Sequence, residues 1–299
     1  VLAATLFAQT FALPAEARPG DASLAARLGA EIGALASAGA GLANRKAGDP
    51  LQATAPPPAA TPVQAGEAAP EAGPAPAVEA PEPTPPAPKG RLIFIDPGHG
   101  GRDPGAVHTS ARGEVVLTEA EVNLSIGLRL ADMLRQDGYE VVMSRTTDSF
   151  LIPGAHRAVE LPARVDLANR SDADLFISIH NNGSTNPSLQ GTEVWYSAHR
   201  PFSDSNRRLA SLVQDALVRN LRQAGYDTID RGIKEDATLG FFDVLGPHLR
   251  RPSQMPGILG ESLFVSNPQD AAALLRDDIR QAIARGYFEG IKAYFGDTG

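Results

Sequence analysis

The chain has 299 residues, a net charge of −8 and no cysteine. Without cysteine there is no disulfide scaffold, no thiolate-held metal and no cysteine nucleophile, so any metal must be held by His, Asp or Glu. Residues 1–90 carry 5 basic and 8 acidic side chains and residues 91–299 carry 22 and 27, so neither part is a basic platform for nucleic acid.

The opening apolar run, with small residues at Ala15–Ala17, reads as the remnant of a secretory signal peptide over 1–20, which implies an exported protein of the periplasm or extracellular envelope. Residues 21–52 read as a weak helix or a disordered segment. Residues 53–90 hold 12 of the 25 prolines, no aromatic residue, and only Val63 and Val78 as larger aliphatics. That composition cannot offset the entropy of ordering the backbone, so the segment reads as a semi-extended linker. Residues 91–299 are long enough for one core, and they contain no stretch of about 20 apolar residues that would cross a membrane.

Within 91–299 the apolar run Leu92–Asp96 predicts a buried strand, stopped by Pro97-Gly98 and followed by a glycine-rich turn through Ala106. Helical spacing from Thr118 to Asp137 predicts a helix, with Thr118 and Glu121 resembling a capping box. Tyr139–Ser144 is a predicted strand, Pro162–Arg170 a helix and Asp174–His180 a buried strand. Gly191–Ser197 is a strand, Ser203–Ala224 a long helix, and Phe241–Leu245 and Gly257–Phe264 are strands. Pro268–Phe295 holds one or two closing helices. Strands alternating with helices predict an α/β class: a single largely parallel or mixed sheet flanked by helices.

Three polar residues stand at strand ends: His99, His180 and Glu261. Carboxyl ends of parallel strands line the ligand crevice of open α/β sheets. A lone histidine is more often structural than a ligand, but three such placements together point to a site. Two histidines and a carboxylate suit catalytic zinc, with a further carboxylate to take a proton from water. Glu114, Glu119 and Glu121 are the candidate carboxylate ligands. Steps of 3, 7, 11 and 14 residues from Glu119 reach Val122, Ile126, Leu130 and Met133, so Glu119 shares the apolar stripe and faces inward. Glu121 is better placed to cap the helix, and Glu114 falls in a loop.

Four ordered motifs, Ile95-Asp-Pro-Gly-His-Gly-Gly-Arg-Asp-Pro-Gly-Ala106, Glu119-Ala-Glu-Val-Asn-Leu124, Asp174-Leu-Phe-Ile-Ser-Ile-His180 and Glu261-Ser-Leu-Phe-Val-Ser-Asn-Pro268, resemble the zinc-dependent N-acetylmuramoyl-L-alanine amidases of the LytC/AmiC type. The likeness runs from about Arg91 to Phe295. It implies that His99, Glu119 and His180 bind Zn2+, that Glu261 is the catalytic base, and that the substrate is the lactyl–L-alanine amide of peptidoglycan. It implies a role in cell-wall remodelling or daughter-cell separation. Arg231 and Asn267 are candidate substrate contacts, Asn267 and Asp103 also being suited to holding site loops through backbone hydrogen bonds. His108, His156, His199 and His248 read as surface or structural. The sequence departs from the family pattern at Ala120, usually basic, at Asn181-Asn182-Gly183-Ser184, and at Gly260, usually aliphatic. Some relatives carry an autoinhibitory helix before the Arg-Gly segment. The 50 residues between His180 and Arg231 are filled by one strand and one helix, so no such insertion is expected, although an activator protein remains a candidate partner. The competing functions are a catalytically inactive peptidoglycan-binding or regulatory module on this fold and a zinc peptidase cutting within the stem peptide.

Overall fold

Alternating burial along the strands determines where this protein builds its site. The computed structural model describes residues 90–154, 157–198, 201–235 and 252–297. The expectations for 1–89, for a strand at Phe241–Leu245 and for His156, His199 and His248 lie outside these residues. In chain order the described elements are β1 (Leu92–Pro97), β2 (Val107–Thr109), β3 (Val115–Thr118), α1 (Glu119–Gln136), β4 (Glu140–Met143), α2 (Arg157–Arg170) and β5 (Leu175–Asn182). They continue with β6 (Thr192–Tyr196), α3 (Ser203–Gln223), β7 (Asp230–Glu235), β8 (Gly257–Phe264), α4 (Pro268–Leu274) and α5 (Asp277–Phe295).

Six strands form one mixed sheet in the order β4-β1-β5-β8-β6-β7, and β2 and β3 form a separate antiparallel hairpin. The β4–β1, β1–β5, β5–β8 and β6–β7 joins are parallel, and β6–β8 is antiparallel. Ile93, Ile95, Ile177 and Ile179 pack on one face with α1, α3 and α5. Leu92, Phe94, Phe176 and Leu259 pack on the other, against Val165 and Ala168 of α2. A strand's side chains alternate between faces. The same alternation therefore puts Asp96, Ser178, His180 and Glu261 on the α2 face, towards the carboxyl ends of the parallel strands.

Thr118 caps α1 as expected, its Oγ1 accepting from the Glu121 N–H at 3.3 Å. The Glu121 side chain does not complete a reciprocal box but accepts from Arg280 at 3.3 Å. Helix α2 starts at Arg157, five residues before the expected Pro162. The Glu160 carboxylate explains the extension. It accepts the N–H groups of Leu151 and Ile152 at 2.6 and 3.2 Å and pairs with Arg164 one turn on, fixing the helix ahead of the proline. Two closing helices form, with the break at Leu275–Arg276. Between His180 and Arg231 the described residues hold β6 and α3 and no further helix. Helix α5 lies close on α3, since a Cβ on Gly290 or Gly286 would stand 2.7 or 2.8 Å from the Cα of Val213 or Leu217.

Candidate metal centre and catalytic residues

His99 sits two residues beyond β1 with φ of 61°, a left-handed conformation that costs a side-chain-bearing residue about 1–3 kcal/mol. The conformation turns the imidazole back towards α1. Its Nε2 lies 3.1 Å from Glu119 Oε2, and its Nδ1 lies 3.0 Å from Asp103 Oδ2. Glu119, the first residue of α1, is 5% exposed. Its Oε1 lies 2.8 Å from His180 Nδ1 on β5. The two imidazoles meet edge to face, with ring centroids 5.0 Å apart. One ligand atom from each of His99, Glu119 and His180 falls within 4.8 Å of the others. Among the three glutamate candidates, Glu119 is therefore the one that faces both histidines. Glu114 is exposed in the β2–β3 turn, and Glu121 is exposed on α1.

Polar groups behind the carboxylate fix its orientation. Glu119 Oε2 accepts from the Ala106 N–H at 2.9 Å, and Oε1 accepts from Asn123 Nδ2 and the Asn181 N–H, both at 3.3 Å. Asn181 Nδ2 donates to Asn123 Oδ1 at 2.8 Å, locking both amides. Asn123 is fully buried one turn after Glu119 on the same face of α1. Gly98 makes room for His180: a Cβ there would lie 2.1 Å from the imidazole Cε1.

The electrostatics follow from this crowding. Burial favours neutral Glu119, yet hydrogen bonds and charge from His180 and His99 outweigh it and hold the carboxyl far below the usual range. Burial favours neutral His99, yet Glu119 and Asp103 outweigh it and raise its pKa. Both shifts favour the ion pair.

Glu261 stands beside His180 in the β5–β8 register and beside Glu193 in the β8–β6 register. Its Oε2 is fully buried and finds no hydrogen-bond partner among the described residues. Burial, with Glu119 and Glu193 adding negative charge nearby, pushes its pKa well above the ordinary carboxylate range. A carboxyl whose proton affinity is raised in this way suits general acid–base work. Gly260 departs from the family pattern for a local reason: a Cβ there would stand 1.9 Å from the hydroxyl of Tyr287, which is fully buried on α5.

Glu193 has no counterpart among the sequence-derived candidates. It is 3% exposed and carries three contacts: from Arg231 Nε at 2.6 Å, Asn182 Nδ2 at 2.8 Å and Trp195 Nε1 at 3.1 Å. Arg231 is thereby anchored next to the Glu261 strand while its side chain stays 28% exposed. Asn267 holds a site loop, as its sequence position suggested: it caps α4, its Oδ1 accepting from the Gln269 and Asp270 N–H groups and its Nδ2 donating to the Pro187 carbonyl. All its side-chain polar atoms are engaged in holding that loop. Asp103 accepts from the Gly105 N–H at 3.3 Å, a loop-holding contact. His108 lies in β2 and is not part of the cluster.

Residues 93–293 match the profile of the Amidase_3 family, described as N-acetylmuramoyl-L-alanine amidase. The chain is 32% identical over 216 residues to the germination-specific N-acetylmuramoyl-L-alanine amidase of Bacillus subtilis, covering 70% of this chain and 82% of that protein. It is also similar to the solved structure of the amidase AmiC2 of Nostoc punctiforme, with 33% identity and a TM-score of 0.55 over 69% of this chain and 97% of that one. The catalytic domain of the amidase CwlV from Bacillus (Paenibacillus) polymyxa var. colistinus gives 30% identity and a TM-score of 0.55, over 70% and 99% of the two chains.

Proposed function

Because the chain belongs to the Amidase_3 family of N-acetylmuramoyl-L-alanine amidases, we propose that it cuts the amide between the lactyl group of N-acetylmuramic acid and L-alanine with zinc held by His99, Glu119 and His180. The observation that carries the reading is the convergence of those three donors beside Glu261. Two imidazoles and one carboxylate are the donor set of a catalytic zinc that keeps a position open. The fit extends behind the donors, where Asn123, Asn181 and the Ala106 N–H orient Glu119, the kind of support that metal ligands require.

Zinc, when bound, supplies a Lewis acid that polarises the amide carbonyl and activates water. The chain's own residues do the rest. Glu261 takes the proton of the attacking water and passes it to the departing amine of L-alanine. Its raised affinity for a proton suits it to hold that proton between the two transfers. Arg231, anchored by Glu193 and partly exposed, presents a cation to a carboxylate or oxygen of the substrate. Asn267 shapes the adjoining loop.

Peptidoglycan as substrate implies action outside the cytoplasm. We assign residues 91–299 to catalysis and residues 53–90 to a linker, with the apolar run within 1–20 as export-signal sequence and an activator protein as a candidate partner. The inactive-module and stem-peptidase readings have no observation in their favour. Glu261→Gln tests the assignment: the variant keeps its zinc and loses about 10²–10⁴-fold in hydrolysis. Full activity in that variant would refute the role of Glu261.

A further inference from the structure

Two arginines lie almost completely buried beneath the His99 turn, and the mechanism above does not use either. Arg145 follows β4 and Arg164 sits on α2; each is 4% exposed. Arg145 gives its hydrogen bonds to main-chain carbonyls: Nε to Pro97 at 2.9 Å, Nη2 to Gly98 at 2.9 Å and to Ala120 at 2.7 Å, and Nη1 to Thr147 at 3.2 Å. Arg164 donates to the carbonyls of Pro97 at 3.1 Å and His99 at 2.7 Å. Three consecutive carbonyls, 97 to 99, are thus held by two guanidinium groups. Arg145 also joins this turn to Ala120, the neighbour of Glu119.

Asp96 and Glu160 balance the buried charge, each accepting from Arg164, at 3.1 and 3.2 Å. Asp96 also accepts from Ser144, beside Arg145, at 2.5 Å and from Ser178, two residues before His180, at 3.3 Å. Burial and the neighbouring Arg164 lower the pKa of Arg145 to about 10, which leaves it charged at neutral pH.

A pair serving only core stability would be an inefficient use of charge, because desolvation offsets most of the attraction. Here the donors converge on the one turn that must keep a histidine at positive φ. We infer that Arg145 and Arg164 are positioning residues that fix the left-handed His99 backbone against the first turn of α1, and so set how the His99 imidazole meets Glu119. This inference rests on the metal-site reading of His99 and Glu119.

The test compares the wild-type chain with Arg145→Lys and Arg164→Lys. Each keeps the charge but replaces a planar fork by one ammonium that cannot span the same carbonyls. Zinc affinity is measured by competition with a chromophoric chelator, and kcat and KM are measured on peptidoglycan fragments at saturating zinc. Each variant should bind zinc about 10–100-fold more weakly. Each should lose kcat with KM within about twofold, since the substrate-facing groups stay in place. Tyr139→Phe, which removes a hydroxyl bonded to Asp297 at the far end of the domain, should change neither quantity. Should a lysine variant not fold, Glu160→Gln keeps both guanidinium groups and loosens the anchor of Arg164; a smaller loss of zinc affinity is then expected. Lower melting temperatures with wild-type zinc affinity and kcat would overturn the inference and leave the arginines as structural pairs. A wild-type chain that binds no zinc would overturn the metal-site reading itself, and this inference with it.

Discussion

Gly98→Ala probes the site through one methyl group. Gly98 is not at positive φ, so alanine meets no intrinsic backbone penalty there. The added Cβ would stand 2.1, 2.2 and 2.7 Å from Cε1, Nε2 and Cδ2 of His180, where ordinary contact begins at 3.4 Å. The main chain cannot retreat cheaply. The Gly98 N–H donates to the Ile179 carbonyl at 2.9 Å, and the Gly98 carbonyl accepts from Arg145 and Asn123. The His180 ring must therefore move by more than about 1 Å, which breaks its 2.8 Å contact with Glu119. Displacing a ligand on that scale should weaken zinc binding about 10–100-fold and cost about 100-fold in turnover. Overpacking of this kind costs about 1–3 kcal/mol, or a fall in melting temperature of roughly 2–12 °C for a domain of this size. Gly286→Ala is the matched control, since its Cβ would meet Leu217 at 2.8 Å, between α3 and α5. Chelator competition and thermal melting on both variants separate the effects. Gly286→Ala should lose stability and keep zinc affinity. A Gly98→Ala variant with wild-type zinc affinity and rate would refute the packing argument.

Two further predictions concern packing behind the base and proton linkage. Gly260→Ala should destabilise by about 1–3 kcal/mol through the clash with Tyr287. In a Tyr287→Ala background the same change should cost markedly less; equal costs in a denaturant-based double-mutant cycle would exclude the clash as the cause. The apoprotein should lose stability as pH rises above 6.5 through the raised pKa of His99, because a raised folded pKa stabilises fully only below the unfolded value. It should also lose stability as pH falls below 4.5 towards the depressed pKa of Glu119. Zinc needs His99 unprotonated, so the rise in melting temperature on adding zinc should grow between about pH 5.5 and pH 8. A zinc-induced shift that is flat across that range would contradict the coupling of His99 to the metal.

The strands and helices that carry the site were legible because they bury one kind of surface each. Leu92–Asp96 and Asp174–His180 are apolar runs that end in polar residues, and the stripe of Val122, Ile126 and Leu130 identified Glu119. Two elements were not legible, for physical reasons. Strand β7, Asp-Arg-Gly-Ile-Lys-Glu, lies at the sheet edge, where charge is tolerated and the apolar signal fades. The β2–β3 hairpin exposes Val107, Val115 and Val116, so it carries no inward periodicity. Glu193 was missed although a carboxylate between Thr192 and Val194 in a buried strand is a costly placement, and its cost is met by Arg231 from a distant strand. Asn123 left a similar trace as an amide on the buried side of an apolar helix. Arg145 left none, because its partners are main-chain carbonyls, which no side-chain pattern records, and the Glu160–Arg164 spacing of Arg164 looks like any helix-surface ion pair.

The central claim is zinc-dependent cleavage of the lactyl–L-alanine bond. Its most direct test is to digest purified peptidoglycan with the 299-residue chain, with and without a chelator, and to weigh the released fragments. Intact stem peptides with a free L-alanine amine, absent with chelator and restored by zinc, are the expected products. Cleavage only within the stem peptide, or release that the chelator does not touch, would contradict the account.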